Sequence, residues 1–517
     1  MKRLLAILLG LITCFSCVMA TGCGQDVNAD ALVIEYYKAG YGEEWIINLA
    51  AEFQRKTGQE VVALPRSGDQ GVSNMSTTFK SGTSETDLFF TKNPAFGELF
   101  QGQAVVNGVR YDTWYADISD VYNATIEGEN ITVKDKMFDA FEDYYRMPAD
   151  GKYYDNKYYF FPWVTGMLGI VMNVDVWNQV GQGKTLPRTT DEFIELCESV
   201  KAQTAPFIFS LGNEYFTSYY QVFMNQYEGN VAMDNFYKGI GPDGARYSEN
   251  MVAYQGFEEA LKFFEQLLAK ENGNYKYMHA NSSSANFQQM QGSFLNGDAL
   301  FSMNGDWLEN EMKTKYPNVN LAMIKTPVLS AVANKCSFAS AANKDQILRA
   351  AIDYVDGKVA TMPAECTTDD IAIIAEARGV EYVTGQDLIA YVPVYSNQIP
   401  AAKEFLKFMA SDEGMRIFRD GTSGCELPFT YTEKVAATKV TSFRQSINSI
   451  LDVSVARFVN SKDRIYSLGG INVLLYNTNL RFATAFANKT KTAAQYYAEE
   501  VNAVNSLLTE AKLQAGV

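Results

Sequence analysis

The sequence predicts an α/β protein of two lobes, and three observations predict it. The chain has 517 residues, well past the ~250–300 residues at which a single core stops growing. Strand-like and helix-like patterns alternate over most of that length, and the first alternation is strand, helix, strand, the βαβ unit of helix-covered parallel sheets. The hydrophobic fraction of 47% is that of a globular chain, without low-complexity tracts or short-period repeats.

Leu32 to Tyr37 reads as the first strand, followed by Gly40-Tyr41-Gly42 and a helix from about Glu43 to Thr57. Trp45, Ile46, Leu49, Ala50 and Phe53 recur at helical spacing, and Gly58 supplies the stop. A second strand starts at Glu60-Val61-Val62, and Asp87-Leu88-Phe89-Phe90 is a short buried strand opening into Thr91-Lys92-Asn93-Pro94. A turn at Asp155-Asn156 joins two aromatic runs, Pro162-Trp163-Val164-Thr165-Gly166 breaks the pattern, and Leu168 to Met172 resumes a strand. Thr189-Thr190-Asp191-Glu192 reads as a capping box opening a helix with Phe193, Ile194, Leu196 and Val200. A helix covers about Tyr254 to Lys270, and a strand from Asp298 to Met303 delivers Asn304-Gly305-Asp306-Trp307. Ala401 to Phe418 and Ala493 to Lys512 have the 3–4 spacing of amphipathic helices.

The amino terminus carries a different signal. Lys2 and Arg3 precede an apolar run from Leu4 to Val18 and the small residues Ala20-Thr21-Gly22, the order of a secretory signal peptide. Ala20-Thr21-Gly22-Cys23 resembles a lipobox, so residues 1–22 are expected to leave and Cys23 to carry a lipid. Residues 23–31 then form a polar tether, and no later apolar segment is long enough to span a membrane. The net charge is −16 and becomes two units more negative without Lys2 and Arg3. Such a surface argues against nucleic acid or an anionic bilayer as the main partner, and suits a neutral ligand.

Catalytic and metal-binding patterns are thin. His279 is the only histidine and lies in a polar run, with no G-x-S-x-G elbow to accompany it. Cys197, Cys336, Cys366 and Cys425 form no C-x-x-C pair, so no metal site and no cofactor are expected. Cys197 reads as core; the other three are either buried free thiols or contain one disulfide, which an oxidising compartment permits. Gly183-Lys184-Thr185 lacks the first glycine of a phosphate-binding loop and reads as a surface turn. What stands out is a set of aromatic residues at strand ends: Tyr41 and Trp45, Trp163, Tyr215 beside Glu214, and Trp307. In open α/β sheets ligands sit outside the carboxyl ends of strands. Flat rings there can cover the C–H face of a sugar while polar side chains satisfy its hydroxyl edge, with unpaired groups costing ~1–3 kcal/mol each. Trp45 and Trp177 read as core, Trp163 and Trp307 as cleft residues.

Several stretches together resemble the family 1 extracellular solute-binding proteins of ABC importers, most of which serve carbohydrate uptake. They are Gly42-Glu43-Glu44-Trp45 with Phe53 to Gly58, Thr86-Asp87-Leu88-Phe89, Pro187 to Phe193, Gly297-Asp298-Ala299 through Gly305-Asp306-Trp307, Ala402 to Met409, and Ser411-Asp412-Glu413-Gly414. The resemblance implies a periplasmic-binding-protein-like fold of type II, with a hinge between the lobes and a ligand cleft at their interface. It divides the chain into 31–162 with 322–412, and 163–321 with 413–517. It implies Tyr41, Asp87, Lys92, Trp163, Glu214, Tyr215 and Trp307 as ligand-binding positions. The segment 336–392 is longer than relatives have, either a lobe elaboration near the cleft or an outer decoration, and the tail after about Thr441 extends beyond the family core. The implied function is a monomeric, lipid-anchored binder that closes on a carbohydrate, above all an oligosaccharide, and hands it to the permease subunits of an importer. Two rivals are a binder of another solute, peptide or organophosphate, and a surface glycoside hydrolase.

Overall fold

The computed structural model describes residues 28, 30–38, 40–92, 104–147, 156–211, 219–433, 440–457, 463–467, 470–471 and 482–517. Strands that position the site are β1 (Leu32–Lys38), β2 (Val61–Ser67), β3 (Leu88–Lys92), β4 (Phe161–Pro162), β5 (Met167–Asn173) and β6 (Ala205–Ile208). They continue with β7 (Ala299–Gly305), β8 (Leu321–Ile324), β9 (Val380–Val383), β10 (Leu388–Tyr391) and β11 (Val455–Arg457).

Among the described residues two large sheets form, of five and six strands, each packed on its own core, beside two small two-stranded sheets. The first has the order β2-β1-β3-β10-β4, with β1 parallel to β2 and β3, and β10 antiparallel to β3 and β4. Its cover begins with the expected helix, Glu44–Thr57, which buries Trp45, Ile46, Leu49, Ala50 and Phe53 and ends at Gly58 in a left-handed conformation. Helices Ile399–Ala410 and Asp412–Gly421 close the same core, through Phe53 against Phe405 (5.2 Å between ring centres) and Trp45 against Phe418 (5.3 Å).

The second sheet has the order β11-β9-β5-β7-β6, with β8 also on β5. β5 is the hub: β7 runs antiparallel along one edge, while β8 and β9 share the other, β8 pairing at 170–173 and β9 at 167–168. This pairing changes the expected division of the chain. The stretch from β8 to β9, with helices Lys344–Val355 and Thr368–Gly379, belongs to the second core rather than the first. The chain returns to the first sheet only at β10, and the Asp412–Gly421 helix stays there. The physical reason is the open edge of β5, whose backbone groups and apolar face are satisfied by two strands far apart in sequence. Of the segment 336–392, the part up to β9 packs in the second lobe, 384–387 crosses, and β10 belongs to the first sheet, so it is built into both lobes rather than an outer decoration. Helix Ser442–Leu451 packs on β8, and Ala493–Ala515 lies against Gln255–Leu267.

The four cysteines in these cores, Cys197, Cys336, Cys366 and Cys425, are buried free thiols. The Thr189 cap is half a capping box: its hydroxyl accepts from Glu192 N (3.2 Å), but the Glu192 carboxylate turns back to Arg188 N (2.8 Å) and its guanidinium.

Two described segments cross between the lobes, Trp163–Gly166 and Thr384–Asp387, and the chain changes lobe again between Glu433, held on the first, and the helix at Ser442, packed on the second. The first two run side by side, with Thr384 N donating to Gly166 O (2.9 Å) and Trp163 N to Leu388 O (3.3 Å). Gly385 is packed where no side chain fits: a Cβ would lie 2.5 Å from Val164 O, 2.6 Å from Phe141 Cε1 and 2.7 Å from Thr165 O. Tyr145 also donates to its carbonyl (2.8 Å). Gly385→Ala is therefore expected to cost about 1–3 kcal/mol of stability, as overpacking does. Urea denaturation measures it, and an unchanged midpoint would show that the crossing has room to shift.

Candidate functional site

The loops leaving the carboxyl ends of β1 and β7 meet across the lobes. β7 ends at Gly305, and Asp306 and Trp307 follow before the short helix Leu308–Met312. The Trp307 indole folds back over Gly305, where a Cβ would sit 2.2 Å from the ring. From the other lobe Gly40 approaches so closely that a Cβ there would be 2.8 Å from Trp307 Cβ. Asn310 Nδ2 donates to Gly40 O (2.5 Å), and Tyr41 stands edge-on to Trp307 with ring centres 6.4 Å apart. Trp307 remains half-buried and packs against both cores.

Asp306 is the polar centre of the contact. Tyr41 OH donates to its Oδ1 (2.9 Å) and Arg444 Nη1 to its Oδ2 (3.0 Å). Burial, then the Asp306 charge, push the Tyr41 hydroxyl well above its usual range, so it stays protonated and donating. Glu311 nearby accepts from Gln291 Nε2 (3.1 Å), and burial raises its carboxyl.

The expected site residues separate into groups. Tyr41 and Trp307 come together as described. Lys92 ends β3 on the same side of the first sheet, half-buried, its ammonium 5.3 Å from the centre of the Tyr37 ring. Trp163 is not on a cleft wall: it is fully buried, stacked on Trp45 (5.2 Å, 10° between planes), and its Nε1 donates to Thr91 O (3.1 Å). With both faces covered and its one donor satisfied, it is core, like Trp45. Trp177 packs half-buried against the second core. Asp87 lies at the amino ends of β1 and β3, opposite the Tyr41 loop, where Oδ2 accepts from Val33 N (2.9 Å) and Oδ1 from Ser396 Oγ (2.6 Å). It ties two segments of the first lobe, and burial raises its carboxyl despite those bonds. Glu214, Tyr215 and Cys23 lie outside the described residues. Arg444 was not among the expected residues, because nothing local marks an arginine on an amphipathic helix as the partner of an aspartate 138 positions earlier.

The Asp306 carboxylate is engaged on both oxygens, by Tyr41 from one lobe and Arg444 from the other, so it joins the two lobes beside the Trp307 ring. Among the described residues, no group of three or more His, Cys, Asp or Glu side chains could hold a metal ion. No described helix is long and apolar enough to cross a membrane.

Two α/β lobes joined by three crossings, with an aromatic ring at a strand's carboxyl end between them, define a hinged binding protein. The chain belongs to the bacterial extracellular solute-binding protein family, whose model matches residues 39–416. Among solved structures it is similar to the binding protein MsmE of Bacillus subtilis in an open conformation, at 16% identity, TM-score 0.55, covering 94% of this chain and 100% of that one. It is similar to the raffinose complex of the solute-binding protein RafE, a protein also known in its apo form from Streptococcus pneumoniae, at 14% identity, TM-score 0.58 and 93% and 100% coverage. A third is an ABC transporter solute-binding protein of Thermotoga lettingae bound with α-D-tagatose, at 13% identity, TM-score 0.58 and 92% and 99% coverage. At these identities the likeness establishes the fold. A search of curated protein sequences finds no match.

Proposed function

We propose that this protein is the extracytoplasmic receptor of an ABC importer, held at the membrane by a lipid on Cys23. It captures a carbohydrate, above all an oligosaccharide, by closure of the two lobes and delivers it to the permease without chemical change. The observation that carries this reading is Trp307, a half-buried indole at the end of β7 and between the lobes. A ring so placed has one use that simple packing lacks, which is to cover the C–H face of a sugar while polar groups meet its hydroxyls. Raffinose and tagatose as the ligands of two similar structures support the same class. Lys92 at the end of β3, and Glu214 and Tyr215 after β6, complete the set of ligand positions we assign. Affinity near 1 μM needs ~8 kcal/mol, within reach of one or two stacked rings and several hydrogen bonds.

A thermal-shift screen of mono- and oligosaccharides, including raffinose and tagatose, tests the reading, since excess ligand stabilises by RT ln(1 + [L]/Kd). No shift with any sugar, or release of reducing sugar by the pure protein, overturns it. The anchor has its own test. Cys23→Ala is expected to shed the protein from cells while leaving sugar affinity intact, because tethering acts by raising local concentration near the permease. Fractionation and uptake assays measure the two effects, and full uptake by the shed form would remove the lipid from the mechanism.

A further inference from the structure

The family match ends at residue 416, yet the guanidinium that grips the Asp306–Trp307 turn comes from beyond it. Arg444 sits on the helix Ser442–Leu451 and is buried, as is Asp306. Its Nη1 donates to Asp306 Oδ2 (3.0 Å), and its Nη2 to the Asp306 main-chain oxygen (2.8 Å) and to Cys425 Sγ (2.7 Å). Asp306 N in turn donates to Met167 O at the start of β5 (2.8 Å). The helix carrying Arg444 is itself tied to the turn. Its cap, Thr441, accepts from Arg444 N (3.1 Å) and donates to Glu309 Oε2 (2.6 Å) on the helix that Trp307 opens.

We propose that Arg444 is a positioning residue. It fixes the pose of the Trp307 ring from behind and, through the carboxylate it shares with Tyr41, ties that pose to the first lobe. The proposal rests on Trp307 being the ligand platform proposed above. Charge-assisted bonds are about twice as strong as neutral ones, and a planar fork can hold a side-chain oxygen and a main-chain oxygen of one residue together. A lysine, with a single compact ammonium, cannot reproduce that span. A recognition ring must be held within ~0.5 Å of its working place by neighbours that are themselves fixed. The bond from Asp306 N to Met167 O fixes one side of the turn's backbone, and the Arg444 fork on the Asp306 carboxylate and carbonyl fixes the other.

The test uses the mature protein and acrylamide quenching of tryptophan fluorescence, with Trp307→Phe separating the Trp307 contribution from the rest. Arg444→Lys is expected to raise quenching, and the rise is expected to vanish in the Trp307→Phe background. Unchanged quenching in a folded Arg444→Lys protein overturns the proposal. So does a rise that persists without Trp307, because that reports general loosening. Should Arg444→Lys fail to fold, Asp306→Asn, which keeps the shape and removes the charge, is read by the same two outcomes. Raffinose titration adds the functional arm: Arg444→Lys is expected to weaken binding about tenfold in the Trp307 protein and not further in Trp307→Ala, as for one misplaced aromatic anchor. If the wild-type protein binds no sugar, the carbohydrate reading falls, while the quenching result still decides whether Arg444 sets the ring.

Discussion

Trp307→Ala is expected to weaken binding of the best oligosaccharide from the thermal-shift screen at least about tenfold, the loss typical of a central aromatic anchor. The apo protein should lose far less. Fully buried Trp→Ala changes cost ~3–5 kcal/mol because a cavity is left, but Trp307 is only half-buried and its neighbours Gly305 and Gly40 carry no side chains to leave stranded. A drop of a few degrees in the apo melting temperature is the expected outcome. Calorimetric titration measures the affinity and scanning calorimetry the stability. An affinity within twofold of wild type would take Trp307 out of the site, and with it the main support for a carbohydrate ligand.

Lys136→Met is expected to lower the unfolding free energy by about 3–5 kcal/mol, the cost of stripping one partner from a buried ion pair. Lys136 is fully buried between Glu129 and Asp412, with Nζ 2.6 Å from Asp412 Oδ1. The same carboxylate accepts from Thr432 Oγ1 (2.7 Å), Thr432 N (3.1 Å) and Glu433 N (3.0 Å). The knot therefore anchors the chain just before it leaves for the second lobe. Burial pushes the Asp412 carboxyl up, but the bonds from Lys136 and Thr432 outweigh it and hold the group well below the usual range. Because the folded pKa is the lower one, this contribution is present above the unfolded value of ~3.9 and fades as pH falls below it. Urea denaturation of wild type and Lys136→Met at pH 7 gives the difference. A change below about 1 kcal/mol would place the knot among the weak surface pairs.

The local elements were legible in the sequence. The helix over 44–57 follows from apolar spacing and a glycine stop, and β7 with its Gly305-Asp306-Trp307 turn follows from a short apolar run ended by a turn signal. Tyr41 and Trp307 could be picked out because ligands in open α/β sheets sit outside the carboxyl ends of strands, and the two rings do meet. Trp163 shows the limit of that argument. It also ends a strand, but whether its ring faces a cleft or a core depends on Trp45 and Thr91, more than seventy positions away in the latter case. Asp87 fails for a related reason: sequence places it beside a strand without saying that its oxygens are already taken by Val33 and Ser396.

Periodicity and turn chemistry are properties of neighbouring residues, so the sequence by itself determined the α/β class, the main strands and helices, and the aromatic turn after β7. Partnership between distant segments was decided only by the tertiary structure. It put β8 and β9 on the two halves of one edge of β5, assigned 321–383 to the second lobe, and brought Tyr41 and Arg444 onto the two oxygens of Asp306 from 265 and 138 positions away. The physical reason is that burial and hydrogen-bond satisfaction are settled by whatever fills the space around a group, and that filling is chosen by the packing of the whole chain.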